Sequence, residues 1–480
     1  MSGTTEKRDA AEILDQLPSL DHEMVQQLLS IEIKELDRKI IVLDDDPTGV
    51  QTVHGISVYT DWSMSTMLNG FREEQSMFFI LTNSRAMVAT ESEEAHKEIA
   101  RNAVAASKEL NKPFLIISRG DSTLRGHYPL ETDTLKDTIQ AESGSTFEGE
   151  VILPYFKAGG RYTIDNIHYV QYGEKLVPAG ETEFAKDRTF GYTSSHLGDW
   201  VEEKSEGAYL AKNTTYIALD TLRSMDIDTI VEQLMQVQHF NKVVVNAVDD
   251  VDVKVFTIAL IRAIRSGKNF MFRTAASFTK VIGGISDKPL LSREELIPSP
   301  SNEGGLILVG SHVQKTTEQL EQLKTMADIA FIEFDVHLVT DDTAFAAETK
   351  RVILEAEQAI ASGKTCTVYT RRERLDLGEG MKNEELKQSV KISDAVTSIV
   401  QQLNVRPRFI VAKGGITSSD IGTKGLEVQR ATVAGQIKPG VPVWITGEES
   451  KFPHIPYIIF PGNVGDQDTL KETVELLDQQ

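Results

Sequence analysis

The sequence predicts an α/β protein made of two doubly wound domains, each built on a mainly parallel sheet, with the active site in the cleft between them. Short apolar runs that fit buried strands alternate with amphipathic stretches that fit helices, as in a parallel sheet covered by helices on both faces. A stretch rich in Pro, Ser and Gly interrupts this alternation near residue 300, and the alternation then starts again. Polar motifs follow several predicted strands, at the strand ends where doubly wound sheets bind ligands.

The chain divides into four predicted parts. Residues 1–37 carry apolar residues at helical spacing and form an N-terminal helical extension, which we expect to serve in packing or oligomerisation. The first domain is predicted over residues 38–296. The stretch IPSPSNEGG makes residues 297–305 the linker, because it lacks apolar periodicity. Residues 306–480 form the predicted second domain.

The predicted strands are short apolar runs bounded by polar residues. Helical patterns such as SEEAHKEIARNAVAASKEL separate several of them, which favours parallel pairing through crossover connections. The strands of the first domain are predicted at KIIVL, MFFIL, PFLIIS, VILPYF and KVVVNAV, and those of the second at LILVG, IAFIEF, TCTVYT, RFIVAK and VPVWIT.

The charge and the cysteine content exclude several classes of protein. The net charge of −22 produces a field that repels nucleic acids and anionic membranes, so neither is a predicted partner. No stretch has the roughly 18–20 apolar residues of a membrane span, and the first residues resemble no secretory signal. The single cysteine, Cys366, excludes an intrachain disulfide and a Cys-based zinc site, and its apolar neighbours predict a buried strand residue. We expect a cytoplasmic protein.

The first polar motif is IIVLDDDPTGVQT, in which Asp44, Asp45 and Asp46 follow a predicted buried strand. Adjacent carboxylates repel one another and raise one another's pKa. Such clusters often lie on a solvated surface, but the residues from Pro47 to Gly49 place this one in a tight loop at a strand end. Carboxylates there can accept hydrogen bonds from a polyol, bind magnesium through water or act as a base.

Two further motifs carry cations after predicted strands. FFILTNSRA contains Arg85, and LIISRGDSTLRGHYPLE places Arg119 and Arg125 on either side of Asp121 and Ser122. In an acidic protein, arginines beside hydroxyl groups predict an oxyanion site, because the planar guanidinium suits carboxylate or phosphate. A salt-bridged turn is the alternative for the longer motif, and a helix cap for the shorter one.

Glycine-rich turns follow two predicted strands of the second domain, in ILVGSHVQKTTEQL and FIVAKGGITSSD, and a third such turn, FPGNVGDQD, comes near the chain end. Strand-to-helix turns of this kind expose backbone N–H groups that can hold phosphate. None has the Gly-Lys-Ser/Thr ending of a P-loop. Three such turns in one domain predict a nucleotide site, with candidate contacts from Gly310, Ser311, Gly414, Gly415, Ile416, Thr417, Gly462 and Asn463.

Taken together, these motifs resemble the four-carbon acid sugar kinases, in the same order and over nearly the whole chain after residue 38. The family's Asp-Asp-x-Thr-Gly start matches Asp45 to Gly49, and its Asp-Ser-Thr-Leu-Arg-Gly core matches Asp121 to Gly126 without change. A Gly-Arg step followed by threonine matches Gly160 to Thr163. The glycine turns of the family's nucleotide domain, and its Pro-Gly-Val-Pro step, match residues 310–311, 414–418, 439–442 and 462–466.

The resemblance implies a sugar-acid-binding first domain, an ATP-binding second domain and Mg²⁺ accompanying the nucleotide. The substrate would be a small acid such as threonate, erythronate or 3-oxo-tetronate. One of Asp45, Asp46 and Asp121 would be the base, and the choice among them stays open. The resemblance does not identify the metal ligands. It does not fix the oligomeric state either, and a homo-oligomer is one of the states that it allows. The acid or the transferring phosphoryl group would be held by Arg85, Arg119, Ser122, Arg125 and Arg161.

The chain departs from the family pattern at four places. Ile416 stands where a glutamate is common, Arg119 where a lysine is common, and Pro47 where an apolar residue is usual. Residues 155–204 are longer and more elaborate than the family pattern. These departures bear on the identity of the acid.

Two other functions fit part of the sequence. Asp44-x-Asp46-x-Thr48 after a strand also fits a haloacid-dehalogenase-type phosphatase, whose first aspartate is a nucleophile. That function gives the Ser-Thr-Leu-Arg-Gly segment no role, and it places the acidic VGDQD motif too far along the chain. A catalytically inactive sugar-acid sensor is the other alternative, because a fold does not fix a function.

Overall fold

The structure, a computed structural model, describes residues 8–14, 17–299, 301–373 and 382–479. Residues 1–7, 15 and 16 of the predicted extension and Pro300 of the predicted linker lie outside the described residues. The chain has the predicted α/β architecture and forms two compact units. No helix in the described ranges has the length and apolar character needed to cross a membrane.

The strands include every one predicted from the sequence, because their apolar residues are buried on both faces of a sheet. In chain order they are β1 (Arg8–Asp9), β2 (Lys39–Asp44), β3 (Ser57–Tyr59), β4 (Met77–Leu81), β5 (Phe114–Arg119), β6 (Gly149–Leu153), β7 (Arg161–Ile164), β8 (Ile167–Tyr172), β9 (Lys175–Pro178), β10 (Thr215–Ile217), β11 (Asn241–Val245), β12 (Phe270–Thr274), β13 (Leu306–Val309), β14 (Ala330–Phe334), β15 (Cys366–Thr370), β16 (Ile410–Lys413), β17 (Arg430–Lys438), β18 (Val441–Thr446) and β19 (Pro456–Phe460).

Helices connect most of the parallel strands, and several begin at a capping side chain, such as Asp21 or Asp341. In chain order they are α1 (Ala10–Leu14), α2 (His22–Lys34), α3 (Met64–Arg72), α4 (Ala89–Leu110), α5 (Leu130–Ser143), α6 (Leu197–Lys204), α7 (Leu219–Arg223), α8 (Ile227–Gln236), α9 (Asp250–Arg265), α10 (Ala276–Ile282), α11 (Arg293–Leu296), α12 (Gln314–Leu323), α13 (Asp342–Ala361), α14 (Lys382–Gln402), α15 (Gly415–Asp420) and α16 (Thr469–Asp478).

The first unit consists of the described residues within Met1–Val53 and Asp61–Asp287. Its main sheet has the strand order β10-β11-β6-β12-β5-β2-β4, and every pair is parallel. The carboxyl ends of these strands therefore lie along one edge of the sheet. The predicted helical extension provides α2, which buries Val25 and Leu29 and packs against α9 of the same unit.

A second, antiparallel sheet in the first unit has the order β1-β9-β8-β7. Most of it belongs to the elaborated segment at residues 155–204. That segment packs on the main sheet through a buried apolar cluster. The cluster consists of Leu124, Tyr128, Ile152, Ala179, Ala185, Tyr192, Leu197, Trp200, Val201 and Val244.

The second unit consists of the described residues within His54–Thr60 and Lys288–Gln480. Its sheet has the order β3-β17-β18-β19-β16-β13-β15-β14. The strands from β19 to β14 pair in parallel, whereas β3, β17 and β18 pair antiparallel. The position of β3 was not predicted, since it comes from the first part of the chain and completes the antiparallel edge.

Candidate active site

Two buried side chains of opposite charge mark the ends of neighbouring strands in the first unit. The parallel register pairs Asp44 at the end of β2 with Arg119 at the end of β5. Arg119 Nη1 donates to Asp44 Oδ1 at 3.0 Å and lies 3.6 Å from an oxygen of Asp45. Burial raises the pKa of Asp44 to about 7, although Arg119 acts to lower it. The absence of a side chain at Gly49 leaves room for the Asp44 carboxylate, which would lie 2.1 Å from a Cβ there.

Asp45 and Asp46 belong to the same loop but have different partners. Arg85 donates two hydrogen bonds to Asp45, from Nη2 at 2.7 Å and from Nε at 3.1 Å. Asp46 instead accepts from the backbone N–H of Thr48 at 2.9 Å and from its hydroxyl at 2.5 Å. Burial acts to raise the pKa of Asp46, but Arg85 and Thr48 together hold it below its usual value. Asp45 is 3% exposed and Asp46 is 21% exposed, so Asp46 is the more accessible carboxylate.

The loop from Asp121 to Gly126 closes on itself through a charged pair. Arg125 Nε donates to Asp121 Oδ2 at 2.7 Å, and the Thr123 hydroxyl donates to the same oxygen. Burial opposes the ionised form of Asp121, yet Arg85 and Arg125 hold its pKa well below the usual range. Asp121 is therefore a carboxylate at neutral pH. Arg85, which binds Asp45, also acts on Asp121, so the two loops form one charged site.

Arg273, at the carboxyl end of β12, stabilises the loop from Asp121 to Gly126 through hydrogen bonds. Its Nη1 donates to Glu131 at 2.7 Å and to Ser118 at 2.9 Å, and its Nη2 donates to the carbonyl oxygen of Arg125 at 3.1 Å. A Cβ at Gly126, where φ is +121°, would lie 2.5 Å from the same guanidinium. Sequence reasoning missed Arg273 because β12 was not predicted. The run FMFRT, in which an arginine follows apolar residues as Arg119 does in β5, could have indicated both the strand and the residue.

The elaborated segment also holds the loop, through residues that sequence reasoning missed. His168 Nε2 donates to the carbonyl oxygen of the buried Ser122 at 2.8 Å, and the Tyr192 hydroxyl donates to that of Thr123 at 2.7 Å. Burial lowers the pKa of His168 to about 4, so the ring is neutral at physiological pH. No local motif marks either residue, since both act across more than 40 positions of sequence.

Arg161, at the start of β7, differs from the other arginines of the site. Its Nη1 donates to the carbonyl oxygen of Gly159. Its Nε is buried, and no described residue pairs with it. No carboxylate of the described residues lies within ion-pair distance of Arg161. Burial lowers the pKa of Arg161, and the charge of Asp121 acts to raise it. Arg85, Arg119, Arg125 and Arg273 each have a carboxylate partner.

Two of the three predicted glycine turns of the second unit, at Gly310 and at Gly414, line one cavity of about 390 Å³. Both allow close backbone approach. A Cβ at Gly310 would lie 2.5 Å from Thr417 Oγ1, and Gly414 has φ +122° and no room for a side chain beside Ser311. The cavity is lined by Gly310, Ser311, His312, Thr370, Ser389, Ile392, Ser393, Val396, Gly414, Gly415, Ile416 and Thr417.

The third glycine turn adjoins the first. The Thr316 hydroxyl donates to the carbonyl oxygen of Gly462 at 3.1 Å, and a Cβ at Gly462 would lie 3.3 Å from Ser311 Oγ. Asn463 is exposed in this turn and does not line the cavity. Ile416, the departure from the family pattern, is 72% exposed at the cavity wall.

Two cations that sequence reasoning missed lie beside these turns. Lys413 is fully buried, donates from Nζ to the carbonyl oxygen of Pro461 at 2.6 Å, and lies 4.0 Å from the centre of the Phe460 ring. Burial, with a smaller effect of Lys315, lowers its pKa to about 7. Arg372 donates to the carbonyl oxygen of Ser311 at 2.6 Å, while its Nε and Nη1 have no partner among the described residues. Buried donors without partners fit an anionic ligand.

The metal ligands are not located. Within the described residues, no group of three or more His, Cys, Asp and Glu side chains is arranged to hold a metal ion. Mg²⁺ in nucleotide sites is bound mainly by phosphates and water, with one or two carboxylates, so the residues present are compatible with a Mg²⁺–nucleotide complex.

Two family models match the chain. Models of a sugar-binding N-terminal domain and a nucleotide-binding C-terminal domain match residues 40–282 and 306–470. The D-erythronate kinase of Heliobacterium modesticaldum (strain ATCC 51547 / Ice1) is 26% identical over 326 residues, which are 65% of this chain and 66% of that protein.

Two solved structures share the fold over nearly their whole length. A Haemophilus influenzae protein has a TM-score of 0.60 at 17% identity and covers 91% of this chain with 100% of its own. A Salmonella typhimurium LT2 protein has a TM-score of 0.65 at 16% identity and covers 90% of this chain with 98% of its own. At these identities the likeness shows the two-domain α/β fold.

Proposed function

Since the chain belongs to the four-carbon acid sugar kinase family, we propose that it transfers the γ-phosphoryl group of ATP to a hydroxyl of a small sugar acid. Threonate, erythronate and 3-oxo-tetronate are the candidate acids. The observation that carries the proposal is Arg161, for which the described residues offer no carboxylate within ion-pair distance, although Asp121 and Arg125 both act on its charge. A substrate carboxylate would supply such a partner.

The acid site assigns different tasks to the predicted residues. Arg161 anchors the carboxylate. Arg125, whose Nε binds Asp121 and whose Nη1 lies 3.8 Å from Asp187, supplies further donors from its terminal nitrogens. Asp46 and Asp121 are partly exposed and ionised, so they can accept hydrogen bonds from the hydroxyls of the acid. Arg119 and Asp45 are nearly buried and paired, so they hold the loops in place.

The nucleotide site is supported by the glycine turns and the cations beside them. Backbone N–H groups near Gly310 and Gly414 can approach phosphate closely, because no side chain intervenes. Lys413 and the unpartnered nitrogens of Arg372 add positive charge. Ile416 offers an apolar surface to the base. Mg²⁺ would accompany the nucleotide on its phosphates, where it neutralises charge.

The proposed reaction needs positioning and charge neutralisation more than covalent catalysis. The substrate oxygen bonds to the γ-phosphorus, the bond from that phosphorus to the bridging oxygen breaks, and ADP leaves. The hydroxyl proton passes to a carboxylate, for which we propose Asp121, because it acts on the charge of the anchor Arg161 and has one oxygen that no described donor reaches. Transfer requires the bound acid and the bound ATP to meet.

The alternatives have less support. A phosphatase would use Asp44 as its nucleophile, but this side chain is 1% exposed and paired with Arg119. An inactive sensor would retain the acid site without any need for a nucleotide cavity. Cys366 is free and buried, which fits a reducing compartment, and we propose that the reaction takes place in the cytoplasm.

The test is ADP release in the presence of Mg²⁺ and a panel of small hydroxy acids. We expect turnover with at least one four-carbon acid and none with ATP alone. A matched variant, Gly415→Val, should weaken ATP binding and spare acid binding in calorimetric titrations, because Gly415 lines the cavity of the second unit. Hydrolysis of phosphate esters without ATP would replace the kinase by the phosphatase, and binding of an acid without turnover would favour the sensor.

A further inference from the structure

One aromatic ring of the elaborated segment lies against both arginines of the acid site. The guanidinium of Arg125 is 5.1 Å from the centre of the Phe184 ring, and that of Arg161 is 5.7 Å from it. Both distances are within the range of a cation–π interaction. Phe184 lies in the segment at residues 155–204 that departs from the family pattern.

The backbone around Phe184 is fixed to the same loop that carries Arg125. Phe184 begins a 3₁₀ turn, Phe184–Lys186, whose Ala185 is buried in the apolar cluster with Leu124. The backbone N–H of Tyr192 donates to the carbonyl oxygen of Ala185 at 3.1 Å, and its hydroxyl donates to that of Thr123 at 2.7 Å. The turn that carries the Phe184 ring is therefore connected to the Asp121–Gly126 loop by packing and hydrogen bonds.

The two arginines depend on the ring to different degrees. Arg125 is also held by Asp121 at 2.7 Å, whereas Arg161 has no carboxylate of the described residues within ion-pair distance. A guanidinium that lies on an aromatic face keeps its in-plane N–H groups available for an anion. Phe184 can thus orient Arg161 without neutralising it, which a carboxylate partner could not do.

We propose that Phe184 is a positioning residue that holds Arg161 beside Arg125 as a preformed clamp for the substrate carboxylate, and so contributes to the selection of the acid. This inference rests on the proposed function and extends it by giving the elaborated segment a role. The ring fixes the spacing of the two cations, and a fixed clamp favours acids whose carboxylate reaches both. Phe184 acts on acid binding and leaves the nucleotide site unaffected.

The test compares steady-state kinetics of Phe184→Leu, Phe184→Tyr and the wild type. For Phe184→Leu, we expect the KM for the acid to rise about thirtyfold, the size of a desolvated cation–π pair, with kcat and the KM for ATP close to wild type. Phe184→Tyr should restore the wild-type KM, because it keeps the ring. The matched control is Phe240→Leu, which removes a ring lying under Lys136 and Lys242, away from the acid site.

A double-variant cycle separates positioning from general stability. If Phe184 acts through Arg161, Phe184→Leu should have little further effect on the KM for the acid in an Arg161→Ala background. The inference would be overturned by an unchanged KM for the acid in Phe184→Leu, or by an equal rise of this KM in the wild-type and Arg161→Ala backgrounds. Turnover by the wild type would still support the kinase in either case. A wild-type protein that phosphorylates no acid would overturn both proposals.

Discussion

Arg125 Nε donates to Oδ2 of Asp121 at 2.7 Å, and the Thr123 hydroxyl donates to the same oxygen. No donor among the described residues reaches Oδ1, so this oxygen is the one available to a substrate hydroxyl. The pair also explains why Asp121 remains ionised although it is largely buried. An ionised carboxylate with one oxygen that no described donor reaches suits the group that, under the proposed function, orients a hydroxyl and takes up its proton during phosphoryl transfer.

Asp121→Asn should therefore lower kcat by about 10²- to 10⁴-fold, the usual contribution of a general base, with little change in the KM for ATP. Steady-state kinetics provide the measurement, and Asp137→Asn, at an exposed position on α5, is the control. If Asp121→Asn retains near-normal kcat while Asp46→Asn loses it, the base is Asp46.

Arg161→Ala should weaken acid binding by about ten- to a hundredfold, because a charge-assisted hydrogen bond contributes about 1.5–3 kcal/mol. Arg161→Lys should restore little of this, since an ammonium lacks the planar fork. The measurement is calorimetric titration with the acid, beside thermal melts. Arg101→Ala, on the exposed face of α4, is the control. Wild-type acid affinity in Arg161→Ala would remove Arg161 from the site.

Arg273→Met should destabilise the first unit by about 3–5 kcal/mol, because it leaves the buried carboxylate of Glu131 without its charged partner. Denaturant unfolding of the variant and the wild type gives this difference. Replacing both residues, with Arg273→Met and Glu131→Leu, should recover part of the stability. A single variant as stable as the wild type would show that Glu131 is satisfied by Ser84 and His96 alone.

ATP binding near neutral pH should be accompanied by proton uptake at Lys413. The pKa of Lys413 is lowered to about 7 by burial, so the amine is mostly neutral above pH 7 in the nucleotide-free protein. Phosphates bound at the adjacent turns would favour the ammonium and raise this pKa. Calorimetry at pH 8 in buffers of different ionisation enthalpy should detect the proton. Lys413→Met should abolish most of it, and equal uptake in both proteins would contradict the prediction.

Lys413 should also make the free energy of unfolding depend on pH. Between pH 7 and about 10.5 the unfolded chain carries the Lys413 proton and the folded chain does not, so the free energy of unfolding rises with pH in this window. Below pH 7 both states are protonated, and the contribution no longer changes. The difference in unfolding free energy between wild type and Lys413→Met should follow this dependence.

The sequence by itself determined ten of the strands, five in each domain, and the kind of chemistry at their ends. Apolar runs such as KIIVL and RFIVAK are buried on both faces of a sheet, and that burial follows from composition and period alone. The residue types that follow them, carboxylates and arginines in one half and glycines in the other, indicated an acid site and a nucleotide site. The position of β3 in the second unit and the short strand β10 were not predictable, because local pattern carries no information on strand order.

Only the tertiary structure decided which charged residues are paired. Arg85, Arg119, Arg125 and Arg161 look equivalent in the sequence, yet the first three have carboxylate partners and Arg161 has a phenylalanine ring. Pairs such as Arg119 with Asp44 are 75 positions apart, and they form because two parallel strands end side by side. Coulombic attraction falls with distance and strengthens on burial, so the order and register of the strands determine which of these cations has a carboxylate partner among the described residues.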